Sequence, residues 1–262
     1  MADGQIRFED GAAYERMMGT WSRLAGEIFI DWLAPWSGMK WIDVGCGNGA
    51  FTELVVQRCG PAEVEGVDPS DAQLAFARSR PAARVARFQQ GDALALPFPD
   101  DRFDAAVMAL VIFFLPDPPK GVAEMARVVC PGGIVAAYAW DLLGGGFPNE
   151  PIQAELRAMG VAPLRPPSPS ASRMEVLREL WGKAGIEAIE MREISVERTF
   201  KDFDDFWSIS ALGSSVAATL AGMSGAEIGR LKESVRARLP ARPDGRITFG
   251  ARANAIKGRM PG

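Results

Sequence analysis

Three aspartates in this chain each lie at or near the end of a strand-like run. Asp43 lies in Trp41-Ile42-Asp43-Val44, Asp68 ends the run from Glu63 to Val67, and Asp92 sits in Gly91-Asp92-Ala93. Gly45-Cys46-Gly47-Asn48-Gly49-Ala50 follows directly after the first. Alternating glycines at a strand end let backbone N–H groups and a helix N-terminus approach a ligand with no Cβ in the way. Such a turn handles a nucleotide, and its spacing leaves two kinds open: it satisfies GxGxG and also GxGxxA, the dinucleotide fingerprint with alanine last. Asp68, 23 residues after Gly45, stands where an acid accepts hydrogen bonds from ribose hydroxyls, in NAD and in an adenosine sulfonium alike.

Three features separate the two ligands. Asp43 precedes the first glycine, where a dinucleotide enzyme keeps an apolar strand residue, and a carboxylate there suits a positive amino group better than a pyrophosphate. Asp92 ends a third strand, where it can accept from an adenine amino group. No arginine or lysine lies within the turn. An acidic site of this kind repels phosphate and favours a cation. The chain has no histidine, which removes the commonest general base and the commonest metal ligand together. Cys46, Cys59 and Cys130 match no metal motif, and three thiols cannot all pair internally, which points to a reducing cytoplasm.

The elements that must carry these groups follow from pattern. Residues 11–33 place Met17, Trp21, Leu24, Ile28 and Trp32 at helical spacing, as one long helix or two short ones broken near Gly19-Thr20. Strands are predicted at Met39 to Val44, Glu63 to Val67, Arg84 to Gln90, Phe103 to Leu110 and Ile134 to Trp140, with Pro131-Gly132-Gly133 as the turn before the last. Helices are predicted at Phe51 to Cys59, Asp71 to Arg80 with Ser70 as N-cap, and Gly121 to Cys130. This alternation means crossover units and a mostly parallel sheet. Residues 141–172 are loop-like, with room for a helix at Glu150 to Met159; Arg173 to Ala184 is helical, and Ile186 to Phe200 alternates as a strand with one wet face. Lys201 to Leu239 is helix-forming, and Arg246 to Lys257 is a last strand.

With 262 residues, 48% of them hydrophobic, the chain supports one domain with its own core. A net charge of −4 recruits neither nucleic acid nor an anionic membrane. The nine basic residues from Arg230 to Arg259 spread over a helix and a strand and read as a solvated face. Met1 to Asp10 is polar, unlike a signal peptide, and no apolar run approaches the ~18 residues that span a bilayer. A soluble cytoplasmic protein, monomeric or homodimeric, is expected.

The segments Asp43–Gly49 (DVGCGNG), Gly66–Ser70 (GVDPS), Gly91–Ala93 (GDA), Leu96–Ala105 (LPFPDDRFDA), Phe114–Pro118 (FLPDP) and Glu124–Gly133 (EMARVVCPGG) come in one order over about Asp10 to Trp140. Together they resemble the class I S-adenosylmethionine-dependent methyltransferases, of the small-molecule type. The resemblance implies a Rossmann-like, seven-stranded, mostly parallel α/β sheet with helices on both faces, an antiparallel last strand and a helical cap. It implies a single domain. Residues 1–38 would close the cofactor site and 39–140 would bind cofactor. Residues 141–172 would be an insertion and 201–239 the cap, with 173–200 and 240–262 completing the core.

It also implies roles. Gly45, Gly47 and Gly49 would pass under the methionine part and sugar of S-adenosylmethionine, and Asp43 would lie near the ammonium end. Asp68 would accept from the ribose, Pro69 would pack on adenine, and Asp92 and Ala93 would meet the adenine amino group and ring edge. Ala109 and Leu110 would approach the methionine moiety, and Tyr14 and Met18 would close over the cofactor. One departure stands out: where many relatives carry His-His, this chain has Phe113-Phe114.

The methyl acceptor is expected among Trp21, Phe114, Trp140, Phe147, Phe203, Phe206 and Trp207, hence a small apolar or aromatic molecule. No catalytic residue is assigned; Tyr14, Tyr138 and Asp141 are the remaining candidate bases. An NAD(P)-dependent oxidoreductase, or a cofactor-binding protein without methyl transfer, are the rival readings.

Overall fold

The computed structural model describes residues 15–239 and 241–262. Its centre is a seven-stranded sheet: β1 (Lys40–Val44), β2 (Glu63–Asp68), β3 (Ala86–Gln90), β4 (Phe103–Ala109), β5 (Val129–Trp140), β6 (Glu187–Phe200) and β7 (Ile247–Arg259). Their spatial order is β3-β2-β1-β4-β5-β7-β6. The first five strands pair in parallel, and β7 runs antiparallel to both β5 and β6. The expected α/β architecture with an antiparallel last strand is therefore present. The chain moves outward from β1 through β2 to β3, then returns to β4 on the other side of β1. That reversal is the switch point at which open parallel sheets hold ligands, beyond the strands' C-terminal ends.

β1 and β4 are central because their residues are buried on both faces. Helix α1 (Thr20–Leu33) lays Phe29 on the sheet, with its ring 4.6 Å from Tyr138 and 6.0 Å from Phe51 of α2 (Ala50–Cys59). In α3 (Asp71–Ser79) the predicted cap is present, Ser70 Oγ accepting from Gln73 N. Helices α4 (Pro118–Arg127), α5 (Glu150–Ala158) and α6 (Met174–Lys183) follow. The stretch 201–239 resolves into three helices, α7 (Phe203–Ser210), α8 (Ser214–Ala221) and α9 (Gly225–Arg238).

Several boundaries differ from the sequence expectation. Helix α4 starts at Pro118 rather than Gly121, because Asp117 caps it by accepting from Lys120 N and prolines are tolerated in a first turn, where no N–H partner is needed. β3 starts two residues late because Pro81–Arg84 forms a short 3-10 turn. β5 begins at Val129, and Pro131-Gly132-Gly133 is absorbed in a bulge where the partner of Phe103 is Val129 and that of Ala105 is Ile134. The predicted break near Gly19-Thr20 is a change of winding: Glu15–Gly19 is a π-helix turn leading into α1. Among the described residues no helix is long and apolar enough to cross a membrane.

Candidate active site

The glycine turn leaves β1 at the switch point and is fastened to β2: the N–H groups of Gly45 and Cys46 both donate to Val67 O, at 2.7 and 3.0 Å. Gly45 has φ +75°, and a Cβ there would lie 2.6 Å from Val111, which follows β4 and rests on the turn. Gly47 has φ +52°, but a Cβ there would meet nothing nearer than Gln73 at 3.9 Å. Gly45 is thus fixed by close packing as well as by its backbone angle, whereas Gly47 leaves the approach to the turn open.

Because β1 to β4 are parallel, their C-terminal ends bring Asp43, Asp68, Asp92 and Ala109-Leu110 to one edge of the sheet. Asp43 is 2% exposed. Its Oδ2 accepts from Thr52 Oγ1 at 2.6 Å, while Oδ1 has no partner and is the one unpartnered buried carboxylate oxygen among the described residues. Burial pushes the carboxyl from 3.8 up to about 7, against the Thr52 hydrogen bond and with the Asp68 charge adding to the rise. Asp68 accepts from Ser70 N through Oδ1 and from Gly47 N through Oδ2, each at 2.9 Å. Burial raises its pKa despite both N–H groups. Asp92 is exposed and accepts from Leu94 N at 2.9 Å; Ala93 is buried beside it. Pro69 is exposed at the end of β2, Ala109 is half-buried, and Leu110 is buried with φ +65°. The buried Cys46 thiol is raised well above its ordinary value by desolvation and by the Asp43 and Asp68 charges.

The N-terminal segment is tied directly to this turn. Glu15 Oε2 accepts from Asn48 Nδ2 at 2.8 Å and from Arg80 Nη2. Arg80 also donates to Asn48 O at 2.6 Å and to Glu53 at 2.8 Å. Arg198 Nη1, from β6, donates to Met17 O. Met18 is buried in this segment; Tyr14 lies outside the described residues. Glu15, Thr52, Arg80 and Val111 were not anticipated. Thr52 was legible in principle, as a hydroxyl in the first turn of the helix after the glycines; Glu15 and Arg80 carry no local signal.

The aromatic candidates separate. Phe113 and Phe114, in a 3-10 turn after Val111 with ring centroids 4.6 Å apart, line a cleft of about 560 Å³, open to solvent, together with Leu142 and Phe147. Two residues of chain span at most about 7 Å, so this cleft adjoins the glycine turn. Trp21 and Trp140 are instead core residues. Trp21 is 2% exposed against Phe249 and Phe200, and Trp140 is 1% exposed inside β5. Neither reaches the cleft, because the β5–β7 pairing and the packing of α1 cover them. Phe206 packs edge-on against Phe200. Phe203 and Trp207 stack on each other 6.2 Å apart, with Lys232 over both and Arg236 over Phe203, so they join α7 to α9. Of the possible bases, Tyr138 is buried between Phe29 and Phe51, and Asp141 accepts from Arg252 Nη2 and Gly144 N.

The family model described as "Methyltransferase domain" matches residues 42–137, the stretch from β1 through β5. That stretch of the chain is similar to a methyltransferase domain. Over 121 residues it is 37% identical to the 2-phytyl-1,4-naphtoquinone methyltransferase of Synechococcus elongatus, covering 44% of this chain and 50% of that protein. Over 153 residues it is 32% identical to the fatty-acid O-methyltransferase of Mycolicibacterium smegmatis, covering 58% and 53%. The chain thus spans about half the length of the curated relatives it matches. In fold it is similar to Haemonchus contortus phosphoethanolamine N-methyltransferase 2 solved with S-adenosyl-L-methionine, with TM-score 0.59 at 20% identity over 96% of this chain and 57% of that one. It is also similar to the [4+2]-cyclase SpnF, with TM-score 0.57 at 20% identity over 92% and 81%. A cyclase and a methyltransferase on one fold mean that the reaction has to be argued from the site.

Proposed function

We propose that this protein transfers a methyl group from S-adenosylmethionine to a small, apolar or aromatic acceptor. The observation that carries the reading is the unpartnered Oδ1 of buried Asp43. A carboxylate is costly in such a place unless a cation or donor meets it, and the ammonium group of the cofactor is both. Asp68 would receive the ribose hydroxyls through lone pairs its two N–H bonds leave over. Gly45, Gly47 and Gly49 would pass beneath the methionine and sugar, with Ala109 and Leu110 against the methionine. Pro69, Asp92 and Ala93 would frame the adenine. Met18, and Tyr14 beyond the described residues, would close the site from the N-terminal side. When bound, the cofactor supplies an electrophilic sulfonium methyl that leaves by in-line displacement.

The chain's own contribution is placement. Phe113 and Phe114 bring the acceptor cleft next to the turn, and fixing two reactants in line is itself a large rate factor. Tyr138 and Asp141 are committed to other contacts, and among the described residues no Asp, Glu or Tyr lines the cleft. No general base is therefore assigned, and the acceptor deprotonates into water or arrives as an anion. Three free cysteines fit a reducing cytoplasm. An NAD(P) oxidoreductase is disfavoured because buried Asp43 would face a pyrophosphate.

Calorimetric titration with S-adenosylhomocysteine and with NADH distinguishes these ligands. Binding of the first alone is expected; binding of NADH alone would overturn the assignment. Methyl release to a panel of phenols, quinones and fatty acids then separates an enzyme from a cofactor-binding protein.

A further inference from the structure

The cleft beside Phe113 and Phe114 has apolar walls and charges of one sign. Leu142, Phe147 and Leu164 supply hydrocarbon, Arg157 and Arg165 supply cations, and no carboxylate is among the described lining residues. Arg157 is already matched by an ion pair with Glu150. Arg165 is exposed, and among the described residues no carboxylate pairs with it. It stands in Pro163-Leu164-Arg165-Pro166, where two prolines restrict the backbone that presents it to the cleft. Leu143, one of the large apolar side chains most exposed to solvent among the described residues, also lines the cleft. A hydrocarbon trough with one uncompensated guanidinium complements a ligand with an apolar body and a planar anionic end, since a guanidinium fork matches a carboxylate with two parallel hydrogen bonds.

Taking the cleft as the acceptor site, which rests on the methyl-transfer reading, we propose that it binds an amphiphilic acid. The apolar body lies against Phe113, Leu142 and Phe147. The carboxylate lies on Arg165, with Arg157 beside it. Cationic amphiphiles are disfavoured, because the described lining offers them two arginines and no carboxylate.

The test is a binding titration on the full chain, by intrinsic tryptophan fluorescence, with dodecanoate, dodecanol and dodecylamine below their micellar concentrations. Each is run with and without saturating S-adenosylhomocysteine. Dodecanoate is expected to bind at least about tenfold more tightly than dodecanol, the effect of about 1.4 kcal/mol from one charged contact, and dodecylamine not to saturate. Arg165→Gln should bring the acid and the alcohol within about twofold while leaving the alcohol's affinity unchanged. Phe147→Ala should weaken both together. Equal binding of acid and alcohol by the wild type overturns the proposal, and so does acid preference that survives in Arg157→Gln/Arg165→Gln. The homocysteine adduct separates the two readings. Acid preference without adduct binding supports the ligand class and sinks the methyltransferase assignment; adduct binding without acid preference sinks the ligand class alone.

Discussion

Replacing Asp43 with asparagine opposes stability and ligand binding at one atom. In the fold this carboxyl is pushed from 3.8 up to about 7 by burial. The folded state therefore holds the proton more tightly than the unfolded chain does. The sign follows: stability falls as pH rises from about 4 to about 7 and is flat above, the reverse of a salt-bridged aspartate. At about 1.4 kcal/mol per pH unit, ionised Asp43 costs the fold about 4 kcal/mol, of which about 2.5 kcal/mol falls between pH 5 and pH 8. The side-chain amide of the Asp43→Asn variant cannot ionise, keeps an acceptor for Thr52 Oγ1, and leaves one amide donor unpaired at about 1–3 kcal/mol. Urea denaturation of both proteins without cofactor should show the variant gaining about 2.5 kcal/mol on the wild type between pH 5 and pH 8. Affinity for S-adenosylhomocysteine should move the other way. The variant should bind at least about 30-fold more weakly at pH 8, corresponding to about 2 kcal/mol. Wild-type affinity should weaken about tenfold per pH unit below 7, with no such slope in the variant. A stability difference that is the same at both pH values would refute the reasoning, because Asp43 would then titrate as an ordinary carboxyl.

Further outcomes follow from the same contacts. Gly45→Ala puts a methyl 2.6 Å from Val111 at φ +75°, whereas Gly47→Ala meets only the backbone cost at φ +52°. The first should lower stability by about 2–4 kcal/mol and the second by about 1–2 kcal/mol, read as the order of thermal midpoints. Arg80→Gln releases Glu15 and Asn48 together, so hydrogen exchange at residues 15–19 should quicken and affinity for the homocysteine adduct should fall about tenfold, with smaller effects at α9. Trp21→Phe should reduce stability by about 1–3 kcal/mol and leave acceptor preference unchanged, as a core residue does.

The strands around the switch point were legible because Trp41–Val44 and Ala105–Ala109 are largely apolar, and because Gly45 and Asp68 mark where β1 and β2 end. The three aspartates were legible from their places at or just beyond the C-terminal ends of β1, β2 and β3. What the sequence hid was of two kinds. Helix α4 was placed three residues late and β5 was shortened in the reading because Pro118-Pro119 and Pro131-Gly132-Gly133 look like breaks. In the fold the first pair occupies a capped first turn and the second segment a bulge. The other kind is long-range pairing. Glu15 meets Asn48 and Arg80 across 33 and 65 residues, and no periodicity of one element records such a contact. The aromatic residues carry no such record either: Trp21 and Trp140 look alike in sequence to Phe114 and Phe147, and only the packing of α1 and β7 separates core from cleft.

The central claim is that the acidic edge beyond β1 and β2 holds a phosphate-free, cationic adenosine cofactor. A crystal structure of the complex with S-adenosylhomocysteine tests it most directly. The account predicts the ligand's amino group within hydrogen-bond reach of Asp43 Oδ1, directly or through one water, and its ribose hydroxyls on Asp68. The adduct bound elsewhere, or turned so that its amino group is remote from Asp43, would contradict it.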